Sequence, residues 1–216
     1  MALSLYYSEP SAAMGVRVLL EEIGVPYDLV WTDISSDSIR DPQLLALNPN
    51  GWIPILVWKE GAMYECGAIT IFLCDQYPDI RLSPSTLDPK RATFLQWLFF
   101  FSSSLQNAYQ MTFYSDRFCI SINEEFSVKA RSRSRLTELW EIVDVAIGDK
   151  SWMLGNEFSA VDLYLFMLTT WLSDEHKHPS IGTFPNVKRI ADKVLQRPSV
   201  QTVYKAYISR IHGQIR

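Results

Sequence analysis

The side chains able to do chemistry fall into a few short clusters. Ser8 and Ser11 flank Glu9-Pro10 ahead of an apolar stretch with helical spacing (Met14, Val18, Leu19, Ile23). A hydroxyl at the opening of a helix either caps free backbone N–H groups or donates to an anionic atom beside them. Tyr6 and Tyr7 precede it on a strand-like run, and alternation lets at most one of them face a site there. Glu65-Cys66 opens a second helical stretch, where unpaired N–H groups make an anion site; Glu65 reads equally as a helix-capping acid. His176, His178 and His212 are scattered, lack Cys or carboxylate partners at metal-ligand spacing, and read as surface residues. Arg131, Arg133 and Arg135 alternate every two residues, so they spread around a helix as a solvated face. Phe99-Phe100-Phe101 is apolar right round its turn; its surplus face fits a pocket wall, a dimer contact or internal packing.

The elements that position these clusters follow from periodicity. Residues 3–7 read as a strand, 14–23 as a helix closed by Gly24 and Pro26, and Tyr27 to Trp31 as a second strand. This β-α-β start predicts a parallel pair with a right-handed crossover. After a connector, Asn48 to Gly51 is turn chemistry. Ile55–Trp58 and Ala62–Tyr64 form a predicted hairpin around Lys59-Glu60-Gly61, and a helix runs from about Cys66 to Tyr77. Residues 80–87 lack periodicity and read as a linker between a first domain, 1–79, and a second, 88–216. The second half reads helical throughout: Asp88-Pro89 caps a long helix with Phe94, Trp97, Leu98, Phe101 and Leu105 on one face. Leu136 to Ile147 marks another, Ser159-Ala-Val-Asp162 opens a third with a capping box, and helices near 187–195 and 199–211 follow.

Composition sets outer limits. The chain has 216 residues, a net charge of −4 and 48% hydrophobic residues, as in a globular protein rather than one built to grip a phosphate backbone. Cys66, Cys74 and Cys119 cannot all pair and show no CxxC spacing, so a secreted disulfide framework is excluded. No apolar run approaches the ~20 residues of a membrane span, and the start Met1-Ala-Leu-Ser-Leu lacks the features of a signal peptide. The expectation is a cytoplasmic protein without nucleic-acid or membrane partners.

A βαβ-ββα module of about 80 residues followed by a helical half resembles the cytosolic glutathione S-transferases, and three motifs support the likeness. Asn48-Pro-Asn-Gly-Trp-Ile-Pro54 resembles the family's NPxGxVP segment, Glu65-Cys-Gly-Ala-Ile69 its E-S-x-A-I segment, and Phe158-Ser-Ala-Val-Asp162 the capping box of its central helix. Leu5-Tyr-Tyr-Ser8, Leu20-Glu-Glu-Ile-Gly24 and Ala160 through Trp171 look closest to the bacterial beta-type enzymes. The resemblance implies an α+β thioredoxin-like domain that binds glutathione, an all-α bundle supplying most of the second substrate's pocket, and a homodimer. The implied reaction conjugates glutathione to small hydrophobic electrophiles in a detoxifying role, with no metal.

The resemblance also carries roles to individual residues. An extended tripeptide pairs with a strand edge, here Ile53 ahead of a cis Pro54, with Trp52 beside it. The N–H of Cys66 holds the γ-glutamyl carboxylate, Glu65 faces the α-ammonium, and Ser103 and Gln106 add glutathione contacts. Ser11 is the hydroxyl that steadies the thiolate, with Ser8, Tyr6 and Tyr7 in reserve; Tyr7, Gln106, Tyr109, Phe113 and Trp171 meet the electrophilic acceptor. Several positions depart from the beta-type pattern. Its reactive Cys falls on Ala12, which removes mixed-disulfide chemistry; Cys66 is a weaker donor than the usual Ser; Asp37 stands near the usual Lys; and Gln106-Asn107 replaces a His-Lys pair. These departures leave open a scaffold that binds without turnover, or a glutathione-dependent isomerase or dehalogenase.

Overall fold

β1 (Leu3–Tyr7) buries Leu3, Leu5 and Tyr7 on one face. α1 (Ala13–Ile23) packs apolar residues from Ala13 to Ile23 inward and stops where Gly24 takes a left-handed φ of 76° and donates its N–H to the Leu20 carbonyl. β2 (Tyr27–Trp31) then pairs in parallel with β1, Leu3 opposite Tyr27 and Tyr7 opposite Trp31, the parallel pair expected of a β-α-β start. β3 (Ile55–Trp58) runs antiparallel to β1 and forms the expected hairpin with β4 (Gly61–Tyr64), so the sheet order is β2-β1-β3-β4. α3 (Cys66–Gln76) closes this βαβ-ββα module. The connector holds one element the sequence reading did not assign, α2 (Pro42–Leu47), where Asp41 accepts the Gln43 N–H and Pro42 opens the helix.

The structure, a computed structural model, describes residues 2–35 and 39–213, with side chains through Ser209. Asp37 and the side chain of His212 therefore lie outside the described residues.

The long helix of the second half divides into α4 (Lys90–Phe99), a π-helical stretch at Phe100–Leu105, and α5 (Gln106–Phe113). Asp88 caps it as expected, accepting the Lys90 N–H at 2.7 Å. Within this stretch the Ser103 hydroxyl donates to the Phe99 carbonyl at 2.6 Å, and Phe101 and Leu105 are fully buried. α6 (Glu125–Ile147), α7 (Ala160–Thr169) and α8 (Pro185–Leu195) complete this body, whose core includes Phe94, Phe101, Tyr109, Trp140 and Phe184. Each such side chain contributes about 1.5–3 kcal/mol through burial. No helix among the described residues is long and apolar enough to cross a membrane.

The final expected helix is two, α9 (Pro198–Val203) and α10 (Lys205–Gly213), separated at Tyr204. By contacts the chain groups into two units, Met1–Ser83 with Gln196–Arg216, and Pro84–Leu195. The C-terminal segment thus joins the sheet-containing unit instead of the helical one. The physical reason is local: α9 packs on α1, and Arg197 grips Glu22 with Nε–Oε1 and Nη2–Oε2 distances of 2.6 Å.

Candidate functional site

In the sheet-containing unit, three chain segments meet at one end of the sheet. Tyr6 opposes Ile55 and Ile55 opposes Tyr64, so Tyr7 with the following loop, Pro54, and Glu65 all lie just beyond the same strand ends. The Ile53–Pro54 bond is cis, as the sequence reading expected; Glu9–Pro10 is cis as well, which the sequence reading did not anticipate. Cys66 closes the arrangement: its buried Sγ donates to the Ala12 carbonyl at 3.7 Å, joining the start of α3 to the opening of α1. Glu65 is exposed, and at φ 75° it occupies a left-handed region that costs a non-glycine residue about 1 kcal/mol or more. That turn leaves the N-terminal N–H groups of α3 at the mouth of this cluster.

Ser11 is buried and already bonded on both sides. Its hydroxyl donates to the Ser8 carbonyl at 2.7 Å and accepts the Ala13 N–H at 3.2 Å, which makes it the helix cap. Tyr7, expected to face the acceptor, turns into the unit. Its hydroxyl donates to Glu9 Oε1 and accepts from Arg17 Nη1 at 2.9 Å, with the guanidinium over its ring. Its 5% exposure corrects that expectation. A cation absent from the sequence reading stands nearby in Arg40, whose guanidinium lies 5.2 Å from the Trp52 ring centre. It donates to the carbonyls of Gly51, Ser35 and Ile34, so it clamps the loop that presents Trp52 and Ile53. Its isolation in a loop gave no periodic signal, although Arg against an aromatic face is a recurring pair.

The candidates in the helical unit separate into four settings. Gln106 accepts the Tyr164 hydroxyl at 2.7 Å. Ser103 is exposed and, with Ser104, Asn107, Ala108, Met111, Arg131 and Arg135, lines a cavity of about 330 Å³. Arg131 and Arg135 both pair with Glu138, at 2.8 and 3.0 Å, as residues of a solvated face do. Tyr109 is fully buried, donates to the Leu168 carbonyl at 2.9 Å and accepts from the Trp140 indole at 3.1 Å. It is a core residue, which corrects its assignment as an acceptor contact. Phe113 and Trp171 do form one wall: their ring centres are 6.3 Å apart, Phe113 stacks on Tyr109 at 6.0 Å, and Phe113 is 39% exposed. His176 flanks Phe113 at 5.2 Å, while His178 lies beneath, buried, and is not the surface residue the sequence suggested. Of the three phenylalanines, Phe99 is exposed, Phe101 buried, and Phe100 packs edge-on against Trp97 and Phe101. Among the described residues no three His, Cys, Asp or Glu side chains gather as a metal site.

Two family profiles match this chain: the glutathione S-transferase N-terminal domain over residues 11–76 and the glutathione S-transferase C-terminal domain over residues 120–207. The chain belongs to the glutathione S-transferase family. Glutathione S-transferase GstA of Escherichia coli O157:H7 is 24% identical over 94% of this chain and 98% of its own length. The beta-class glutathione S-transferase of Sphingomonas chungbukensis superposes with a TM-score of 0.81 at 26% identity, covering 94% of this chain and 98% of its own. BphK, a bacterial glutathione S-transferase solved as a ternary complex, gives a TM-score of 0.82 at 26% identity with the same coverage. The beta-type likeness of the sequence and the four-stranded sheet followed by a helical body agree with these neighbours, and the family places the chain among the transferases.

Proposed function

We propose that this glutathione S-transferase-family protein conjugates glutathione to small hydrophobic electrophiles, in the cytoplasm and as a homodimer, in a detoxifying role. The observation that carries the glutathione half is the convergence at one sheet end of the cis Ile53–Pro54 edge, the N-terminus of α3, and the Ser8–Ser11 loop, tied by Cys66 to Ala12. An extended acidic tripeptide suits this end. Its backbone pairs with Ile53, Trp52 flanks it, its γ-glutamyl carboxylate takes the Cys66 N–H, and the exposed Glu65 carboxylate takes its α-ammonium. Ser103 and Gln106 are proposed as further glutathione contacts. Phe113 and Trp171, with their apolar faces, receive the acceptor.

A thiol with an ordinary pKa near 8.5 is mostly protonated at neutral pH, and each unit of depression corresponds to about 1.4 kcal/mol. Ala12 offers no thiol of its own, so the chemistry rests on deprotonating the bound glutathione and directing its sulfur at the electrophile. Ser11 supplies the donor by turning its proton from the Ser8 carbonyl to the sulfur. Because one hydrogen bond is exchanged for another, its contribution is modest. Ser11→Ala is expected to lower kcat/KM about tenfold and to move the rise of activity to higher pH by about one unit, since a lost donor raises the thiol pKa. Conjugation rates with several electrophiles between pH 6 and 9, beside calorimetry with glutathione, test this. An unchanged profile removes Ser11 from the mechanism. No heat at millimolar glutathione overturns the whole reading, and tight binding without turnover makes the protein a glutathione-binding scaffold instead.

A further inference from the structure

His178 has no part in the site described so far, yet both its ring nitrogens face oxygen. Nδ1 lies 3.2 Å from the Trp171 carbonyl oxygen and Nε2 lies 3.3 Å from Thr112 Oγ1. Thr112 Oγ1 is 2.6 Å from Ser132 Oγ, and Ser132 Oγ is 2.6 Å from the Ala108 carbonyl oxygen. Thr112, Ser132 and His178 are all buried. The chain therefore runs carbonyl, imidazole, hydroxyl, hydroxyl, carbonyl, with an acceptor at each end.

Its protons can be counted. Four contacts need four protons; the two hydroxyls bring one each, and a neutral imidazole brings one. One contact is then left with lone pairs facing each other, an unfavourable arrangement away from water. An imidazolium brings the missing proton. Nδ1–H donates to Trp171, Nε2–H to Thr112, Thr112 to Ser132, and Ser132 to Ala108, with no conflict.

We propose that His178 is a proton-dependent positioning residue: its protonation completes the chain through Thr112 and Ser132 and fixes the Trp171 backbone against α5 and α6, setting the Phe113–Trp171 wall for the acceptor. This rests on the proposed role of that wall in acceptor binding. Burial, the neighbouring His176 and Arg133 oppose the charge and push the His178 pKa down to about 4, while the Trp171 carbonyl pulls it up. Tyr109 also faces the ring at 5.4 Å, with its hydroxyl turned to Leu168 and Trp140. The hydroxyl pair adds an upward pull, because only the charged ring satisfies every contact.

Ser132→Ala separates this from plain packing. It frees the Thr112 proton to donate to Nε2, so the neutral ring becomes fully bonded. NMR titration of the His178 ring in the full chain, without ligand, is expected to show the Ser132→Ala midpoint about one pH unit below wild type, a tenfold loss of proton affinity. Thr112→Ser, which keeps the hydroxyl, is expected to leave the midpoint in place. By calorimetry with a non-reactive hydrophobic analogue of the acceptor, affinity is expected to rise as pH drops through the midpoint, and the inflection to move with it in Ser132→Ala. Equal midpoints in wild type and Ser132→Ala overturn the proton count. A moved midpoint with an unmoved affinity inflection overturns the positioning role while leaving conjugation intact. Absence of turnover with every acceptor defeats the functional reading alone, since the ligand-free titration still decides the proton count.

Discussion

In the proposed site, one atom at Cys66 sets how firmly the γ-glutamyl carboxylate would be held. The family motif has Ser at this position, and a thiol is the poorer donor. Here that thiol is turned to the Ala12 carbonyl, so the proposed anchor rests on backbone N–H groups. Cys66→Ser is therefore expected to tighten glutathione binding about threefold to tenfold, or ~1 kcal/mol, by calorimetry. Unchanged or weaker binding would remove Cys66 from the γ-glutamyl anchor. The motif itself was legible because NPxGxVP and E-S-x-A-I are strings of turn and cap residues with few alternatives. Partners set by tertiary packing were not: the burial of Tyr7, Tyr109 and His178 depends on neighbours 10 to 66 positions away, among them Arg17, Leu168 and Thr112.

Among the elements, α7 shows how a local signal is reused by distant chain. Ser159-Ala-Val-Asp162 announces a capping box, and the structure adds a ligand from outside the helix. Asp162 accepts the Ser159 N–H at 2.9 Å, the Ser159 hydroxyl at 3.1 Å, and the Met153 N–H at 2.8 Å. Burial pushes its carboxyl up to about 6, while these donors pull the other way. Asp162→Ala leaves two buried N–H groups without an acceptor and is expected to cost about 3 kcal/mol in denaturant unfolding. Asp162→Asn, which keeps one acceptor oxygen, is expected to lose less; equal stability of Asp162→Ala and wild type would show the cap to be redundant. Elements with strong periodicity were read close to their observed bounds, as β1, β2 and α3 show. The break between α9 and α10 and the π-helical stretch were missed, because Tyr204 is no helix breaker by type and a single widened turn leaves the apolar spacing nearly unchanged. α2 is a different case: Asp41-Pro42 carries the same cap-then-proline signal as Asp88-Pro89, but six residues are too few for a periodic pattern.

Across the whole molecule, the tie that brings the last segment back to α1 is a carboxylate held by Arg197 and the Ser199 hydroxyl. Burial alone would raise the Glu22 pKa, but the Arg197 and Ser199 hydrogen bonds and the Arg197 charge together leave it below the ordinary value. A depressed carboxyl contributes stability above its unfolded pKa of about 4.3 and loses it as pH falls through the folded value. Wild type is therefore expected to exceed Glu22→Gln by about 2 kcal/mol at pH 7, with the gap closing as the solution is acidified below pH 4. A gap independent of pH would assign the effect to packing alone. The same tie bears on how this protein can be recombined with its relatives. Because residues 196–216 group with residues 1–83, a chimera joined by one crossover after Ser83 would graft a foreign tail onto the native α1. Two crossovers, after Ser83 and after Leu195, would exchange the helical body as a cassette and leave the Glu22 clasp between sequences that evolved together.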